Sequence, residues 1–356
     1  MAVNAAFWRG RRVFITGHTG FKGSWFALLL NNLGASVTGY ALPAPAAHSL
    51  FELAHVAETM RSIEGDVRDI ERLGSAIRDA KPEIVFHLAA QSLVRLSYND
   101  PVETFSTNVA GTVNLLEACR GVPTLRAVTV VTSDKCYEED VARLPYKESD
   151  PLGGHDPYSA SKACAEIVTT AYRRSFFGVG ESLAAVASAR AGNVIGGGDW
   201  AADRLIPDLI SAFNAGQRPR LRNPNATRPW QHVLDPLSGY LMLGERLHTE
   251  GQRYAGAWNF GPAPDSTADV QTVADRVAQL WGSGATWVAD ADVQPREAPM
   301  LALDSRKAEK QFGWNPQLDL DTALAWTVSW YKNWHQGGNA RQLAHEQIKR
   351  FVGGAL

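Results

Sequence analysis

The stretch from Arg11 to Trp25 limits what this chain can become more than any other. Arg11 to Thr16 is a short apolar run, Gly17-His18-Thr19-Gly20-Phe21-Lys22-Gly23 is a turn, and Trp25, Leu28, Leu29 and Leu33 recur at helical spacing. Gly34 ends that helix and Ala35 to Tyr40 supplies a second strand, so the segment reads as a complete βαβ unit. Such units belong to parallel sheets covered by helices. The glycine spacing, G-x-x-G-x-x-G, permits a tight turn and brings backbone N–H groups against a pyrophosphate at a helix N-terminus. Gly17, Thr19, Gly20, Phe21 and Gly23 are therefore expected to hold a dinucleotide. A glycine stands between Lys22 and Ser24, which breaks the order of an ATP-binding P-loop.

Further strands follow the same rhythm. The second ends in Tyr40-Ala41-Leu42-Pro43, where an NAD site commonly offers an acid to the ribose. That marker is missing and no arginine replaces it, so NAD and NADP are not separated here. Ile63 to Val67 reads as a third strand, and its Asp66 has two readings: a hydrogen-bond partner for the adenine amino group, or the cap of a helix starting near Asp69. Glu83 to Leu88 is a fourth strand, leading into Ala89 and Ala90, whose small side chains let backbone approach a flat ligand. Phe105 to Cys119 reads as one helix, with Asn108 either fixing backbone near the site or serving the helix start.

Arg126 to Val131 is a further apolar strand, and directly after it come Thr132-Ser133-Asp134-Lys135-Cys136-Tyr137. A hydroxyl, a carboxylate and an amine are thus delivered to the carboxyl edge of the sheet, where open α/β sheets bind ligands. Side chains alternate faces along a strand, so Asp134 and Lys135 can serve one ligand only if the strand ends at or just after Ser133. Downstream, Tyr158 and Lys162 stand four apart at the start of a helix and share a face. A tyrosine with its ordinary pKa of about 10 is a poor base at neutral pH, and a neighbouring ammonium stabilises the phenolate.

Composition removes other classes. The 356 residues carry a formal net charge of -2, so no global basic field invites nucleic acid or an anionic membrane. No run approaches the roughly 18 apolar residues of a membrane span. The three cysteines, Cys119, Cys136 and Cys164, have neither zinc-ligand spacing nor an even count, which suits a reducing cytoplasm and no bound metal.

With glycine turn, post-strand serine and Tyr158-x-x-x-Lys162 together, the sequence resembles the extended short-chain dehydrogenase/reductase superfamily, and within it the CDP-glucose 4,6-dehydratases. The finer match is carried by Thr16 to Trp25, by Thr132 to Tyr137, by Arg190-Ala191-Gly192-Asn193-Val194-Ile195-Gly196-Gly197-Gly198-Asp199-Trp200, and by Arg228-Pro229-Trp230-Gln231-His232-Val233. It spans about residues 7 to 335 and leaves the tail from Gln336 unassigned. The resemblance implies a Rossmann doubly wound parallel sheet, formed by residues 1–189 plus about 230–262, with a smaller, discontinuous α/β substrate domain from about 190–229 plus 263–335.

It also implies roles. The cofactor would be NAD, with NADP not excluded, held by Gly17, Thr19, Gly20, Phe21, Gly23, Asp66, Ala89, Ala90, Tyr158 and Lys162. Ser133, Tyr158 and Lys162 would form the dehydrogenase set, while Asp134 and Lys135 would add the acid and base of a dehydration; related enzymes acting on dTDP-glucose carry Asp-Glu there. In this reading Tyr158 takes the proton of the sugar's 4-hydroxyl, Lys135 removes the C5 proton, and Asp134 protonates the departing 6-hydroxyl. Ordinary pKa values of about 10.4 and about 3.9 oppose those charge states, burial favours them, and the reversed assignment stays open.

Asn193 to Asp199 reads as a glycine-rich loop able to wrap a diphosphate with its amides. Asn193 and Arg228 are the expected substrate contacts, with Trp230 either stacking on the base or packing. Arg296 and Asp304 to Lys307 fall where related dehydratases place substrate-domain residues. The substrate partner would be a nucleotide sugar, and the helices near Phe105 and Tyr158 would pair subunits into a homodimer or higher homo-oligomer. An epimerase or a dehydratase for another nucleotide hexose, and a non-catalytic NAD-sensing protein, are the rival readings.

Overall fold

The computed structural model describes residues 3–46, 48–178, 183–290, 298 and 300–353. Arg296 lies outside the described residues. In chain order the strands are β1 (Arg12–Thr16), β2 (Ser36–Ala41), β3 (Arg61–Glu64), β4 (Ile84–His87), β5 (Ala127–Val131) and β6 (Ala185–Ala191). They continue with β7 (Asn193–Ile195), β8 (Arg220–Leu221), β9 (Thr227–His232), β10 (Gly256–Phe260), β11 (Thr267–Asp269) and β12 (Val288–Ala289).

Seven of them form one parallel sheet in the order β10, β6, β5, β4, β1, β2, β3. The order reverses direction between β1 and β4, so the carboxyl ends of β1, β4 and β5 open onto a crevice. Every residue of β5 and β6 is buried, as central strands covered on both faces should be. The helix Phe21–Asn32 covers one face with Trp25, Phe26 and Leu28 to Leu30, and the Leu234–Glu250 helix lies beside it. Each such large apolar side chain contributes about 1.5–3 kcal/mol when fully buried. Leu73, Ile77, Leu115 and Leu116 cover the opposite face.

Outside this sheet, β7 runs parallel to β9 and β11 antiparallel to it, while β8 pairs with β12. Asn193 to Ile195 is therefore strand and not loop: its backbone bonds to Trp230–His232, and only Gly196 to Asp199 turn away. The expected Phe105 to Cys119 helix is also divided, into Pro101–Phe105, a wider π turn at Ser106–Ala110, and Gly111–Cys119. The tail is a helix, Ala340–Val352, capped by Asn339. It lies on the Phe21–Asn32 helix through Asn32 and His345, 2.6 Å apart, and Arg341 donates to the carbonyls of Ala54 and His55, both at 2.6 Å. Among the described residues no helix is long and apolar enough to cross a membrane.

Candidate active site

The glycine turn sits where β1 leaves the sheet. Gly17 has φ of 77°, and a β-carbon there would lie 2.6 Å from the Ala89 amide nitrogen, so any other residue would be both strained and obstructed. Gly20 caps the Phe21–Asn32 helix, and Thr19 is fixed by its hydroxyl donating to the Leu42 carbonyl at 3.0 Å. The turn, Ala89, Ala90, the end of β5 and Arg228 all line one cavity of about 830 Å³. That shape fits a dinucleotide laid across the helix N-terminus, with small residues where its flat parts approach.

Asp66 also lines this cavity, and its capping alternative is ruled out because Asp69 caps the Ile70–Ala80 helix itself. Asp66 instead binds Arg68 through both carboxylate oxygens, and Arg68 reaches on to Glu103. The Arg68 hydrogen bond is the main influence holding the Asp66 carboxyl below its ordinary pKa. Asn108 fixes backbone near the site: its Oδ1 accepts from the Gln91 amide at 2.9 Å, while its Nδ2 donates to the Gln91 carbonyl at 3.0 Å and to Ser161 Oγ at 2.8 Å.

β5 ends at Val131, two residues before Ser133, and Asp134–Cys136 form a tight 3₁₀ turn, so Asp134 and Lys135 are freed from the alternation of a strand. Ser133 is its cap: Oγ accepts from the Lys135 amide at 3.2 Å and donates to Asp134 Oδ1 at 3.0 Å. Asp134 is 3% exposed, and among the described residues its Oδ2 has no hydrogen-bond partner. Burial pushes its pKa up, against Lys135, the Ser133 hydroxyl, Arg228 and Lys22. Gly192 makes room for it, since a β-carbon there would come within 3.3 Å of Oδ2 and 2.5 Å of the Pro229 ring.

Tyr158 and Lys162 face this turn from the helix Pro157–Ser175, both buried. Burial raises Tyr158 to about 12, and the groups opposing that rise are the Ser133 hydroxyl and Arg204. Lys162 lies one helical turn beyond Tyr158, and its ammonium donates to the Val131 carbonyl at 3.3 Å, because the strand end lies within its reach. Burial lowers it to about 8, with Glu166 and Cys136 opposing. Cys136 itself is buried and its thiol is pushed well up by burial, an inert core residue.

Asn193 and Arg228 enter the cavity from β7 and β9, and Arg228 is 5% exposed with its charge felt at Asp134. Trp230 is 4% exposed and donates Nε1–H to the Ala268 carbonyl at 3.0 Å, so it packs against β11 while also lining the cavity. Arg218 is exposed, while Arg222 pairs with Asp203 at the rim. Two cations were missed. Lys22 lines the cavity near Asp134, Lys162 and Arg204, and burial together with those two cations lowers it to about 8. Arg204 bonds Asp199 and Ser92, each at 2.9 Å, joining the Asp199–Arg204 segment to the crevice after β4. A lysine inside the glycine turn was the available signal for the first; nothing in the pattern around Arg204 marks the second.

Known proteins resemble this chain along most of its length. The family model described as GDP-mannose 4,6 dehydratase matches residues 14–327. The CDP-glucose 4,6-dehydratase of Salmonella typhimurium is 51% identical over 358 residues, 98% of each chain. The dTDP-glucose 4,6-dehydratase of Mycolicibacterium smegmatis is 27% identical, over 90% of this chain and 93% of its own. Among solved structures, a double mutant of the dTDP-glucose 4,6-dehydratase DesIV from Streptomyces venezuelae with NAD bound is 25% identical and superposes with a TM-score of 0.76, covering 90% of this chain and 96% of its own. A match over residues 14–327 and half-identity along nearly the whole length leave one conclusion: this chain belongs to the GDP-mannose 4,6 dehydratase family.

Proposed function

We propose that this chain is a hydro-lyase that converts CDP-glucose to CDP-4-keto-6-deoxyglucose with NAD as cofactor. Its 51% identity to a CDP-glucose 4,6-dehydratase and the NAD bound by a similar dTDP-glucose enzyme support the substrate and the cofactor. One observation carries the reaction: Ser133, Asp134 and Lys135 share a single turn after β5, beside Tyr158 and in the same cavity as the glycine turn. Gly17, Thr19, Gly20, Phe21, Gly23, Asp66, Ala89 and Ala90 would hold the cofactor, with Tyr158 and Lys162 at its reacting end. Bound NAD supplies hydride acceptance at C4 and hydride return at C6, so no net oxidation results.

The chain's own groups move the protons. Tyr158, helped by the Ser133 hydroxyl, takes the proton of the 4-hydroxyl as C4 becomes a ketone. That ketone acidifies the C5 proton, which Lys135 removes. Asp134 gives its proton to the 6-oxygen, which leaves as water; as C6 is reduced, Lys135 returns its proton to C5, and the proton taken by Tyr158 makes good the one Asp134 gave up. Asp134 must be protonated for this, and its burial with an unpartnered Oδ2 favours that form, supporting the Lys135-base, Asp134-acid assignment over its reverse. Asn193 and Arg228 bind the substrate's diphosphate side.

Residues 1–189 plus about 230–262 form the dinucleotide half in this reading, and about 190–229 plus 263–335 the nucleotide-sugar half, with β9 crossing the boundary. A homodimer or higher homo-oligomer would form through the Pro101–Phe105 and Pro157–Ser175 helices, whose Val102, Phe105 and Ile167 are exposed apolar side chains. Three free cysteines suit a cytoplasmic location. Incubation with CDP-glucose and NAD, followed by mass spectrometry, tests the function: the product should be lighter by one water. A product of unchanged mass that keeps its 6-hydroxyl would replace this reading with epimerisation.

A further inference from the structure

Behind the reacting turn lies a buried ion pair for which the mechanism above has no use. Glu166 is 1% exposed and Arg190 2%. Glu166 stands one helical turn beyond Lys162 and two beyond Tyr158, and Arg190 lies on β6. Arg190 grips both carboxylate oxygens, Nε to Oε1 at 2.9 Å and Nη2 to Oε2 at 2.8 Å. Each oxygen accepts one further bond, Oε1 from Thr132 Oγ1 at 2.5 Å and Oε2 from Ser188 Oγ at 2.6 Å. The remaining Arg190 nitrogen, Nη1, donates to the Tyr137 hydroxyl at 2.7 Å and to the Glu148 carbonyl at 3.3 Å. Tyr137 passes the chain on by donating to Asn259 Oδ1 at 2.7 Å, and its ring stacks on Tyr146 at 4.8 Å.

Burying two charges is costly, and apolar residues of similar volume often serve stability as well, so stability alone does not account for such a pair. Its geometry does. Thr132 and Tyr137 are the two ends of the reacting stretch, and Ser133, Asp134 and Lys135 lie between them. One end is held by Glu166 and the other by Arg190, and the carboxylate is saturated by four bonds, so neither anchor can shift without breaking the pair. We propose that the Glu166–Arg190 pair is a positioning device for catalysis, clamping Thr132 and Tyr137 so that Ser133, Asp134 and Lys135 meet the sugar in register. This rests on the assignment of those three residues to the reaction. Neither Glu166 nor Arg190 lines the cavity, so both act through the turn. Glu166 has a second influence on the same machinery. Its charge and the Cys136 thiol favour the Lys162 ammonium, whereas burial opposes it and the His87 imidazole and Lys22 ammonium lie near it from β4 and the glycine turn.

The test uses the full chain with Thr132→Val, Thr132→Ser and Glu166→Gln, and Tyr158→Phe as reference. Thr132→Val should lower kcat roughly tenfold to hundredfold, because small misplacement of reacting groups is enough. KM for CDP-glucose should stay within about twofold, since the substitution keeps the side chain's shape in the cavity and leaves Asn193 and Arg228 in place. Thr132→Ser, which restores the hydroxyl, should recover most of the rate. Glu166→Gln withdraws the charge that favours the Lys162 ammonium, so the alkaline limb of its kcat profile should move to lower pH. An unchanged kcat in Thr132→Val, a loss confined to KM, or a Thr132→Ser enzyme as slow as the valine variant would overturn the proposal, whether or not Glu166→Gln folds. If Tyr158→Phe keeps full activity, the catalytic assignment itself fails; if Tyr158→Phe is inactive while Thr132→Val is normal, only the clamp fails.

Discussion

The glycine turn and the wall that faces the substrate do comparable work by opposite means. The turn is local: Gly17 to Gly23 are consecutive, and their conformation follows from one strand, one helix and residues that lack side chains. The wall is assembled from Asn193 on β7, Arg228 on β9 and Arg204 before the Leu205–Asn214 helix, and its strands pair outside the main sheet. A local device is set by the backbone and should fail in the backbone. An assembled one is set by side-chain charge and should fail group by group. The reacting turn after β5 stands between them, and substitutions there should reveal how the two halves divide one reaction.

The largest effects belong to that turn. Tyr158→Phe should lower turnover roughly 10²- to 10⁴-fold, the usual worth of a positioned acid or base, slowing C4 oxidation and dehydration alike. Lys135→Met should lose dehydration to a similar extent while C4 oxidation survives, seen as nicotinamide reduction in a single turnover. A Lys135→Met enzyme that fails already at oxidation would break the division of labour. Near-normal dehydration would reduce Asp134 and Lys135 to an ordinary pair of charges.

Gly17→Ala tests the local half. Its φ of 77° and the 2.6 Å approach to the Ala89 nitrogen both resist a β-carbon. Such strain costs about 1–3 kcal/mol, so NAD affinity should fall by roughly five- to a hundredfold and the thermal midpoint should drop with it. KM for CDP-glucose, measured with NAD saturating, should hardly change. Arg228→Gln tests the other half: losing a charge-assisted contact worth about 1.5–3 kcal/mol should raise KM for CDP-glucose roughly tenfold or more, with NAD affinity retained. Arg218→Ala, at an exposed position, should change neither. Equal loss of NAD and sugar affinity in both variants would erase the contrast.

The same contrast explains how much could be read from the sequence. The βαβ unit, the post-β5 turn and the Tyr158–Lys162 pair are short-range patterns, and their elements stand within a residue or two of expectation. Asn193 to Ile195 misled because glycines follow it, whereas its strand identity depends on Trp230 to His232, far along the chain. Asp66 was ambiguous until Asp69 was seen to take the cap. The break at Ser106–Ala110 lies where Asn108 bonds the Gln91 backbone and Ser161, and no periodicity reports such a contact. Arg204 enters the site through the path of the chain after Asp199, which local sequence does not encode.

Lys22 is the group through which the two halves remain coupled, and it carries the smallest and most discriminating effect. It stands in the first turn of the Phe21–Asn32 helix, inside the glycine motif, yet its ammonium repels the Lys162 ammonium and the Arg204 guanidinium and attracts the Asp134 carboxylate. Lys22→Met should therefore raise the pKa of Lys162, now about 8, because one cation beside it is gone. It should also raise Asp134 further, because a charge that stabilised the carboxylate is gone. A lysine that must be protonated and an acid that must keep its proton both lose function as pH rises. Both changes thus move the alkaline limb of kcat to higher pH, by less than about one unit for a single cation at this range. The measurement is a kcat–pH profile with NAD and CDP-glucose saturating, so altered affinity does not enter. A limb that stays in place would mean that the turn and the reacting groups are electrically independent, and the local half would then contribute backbone alone.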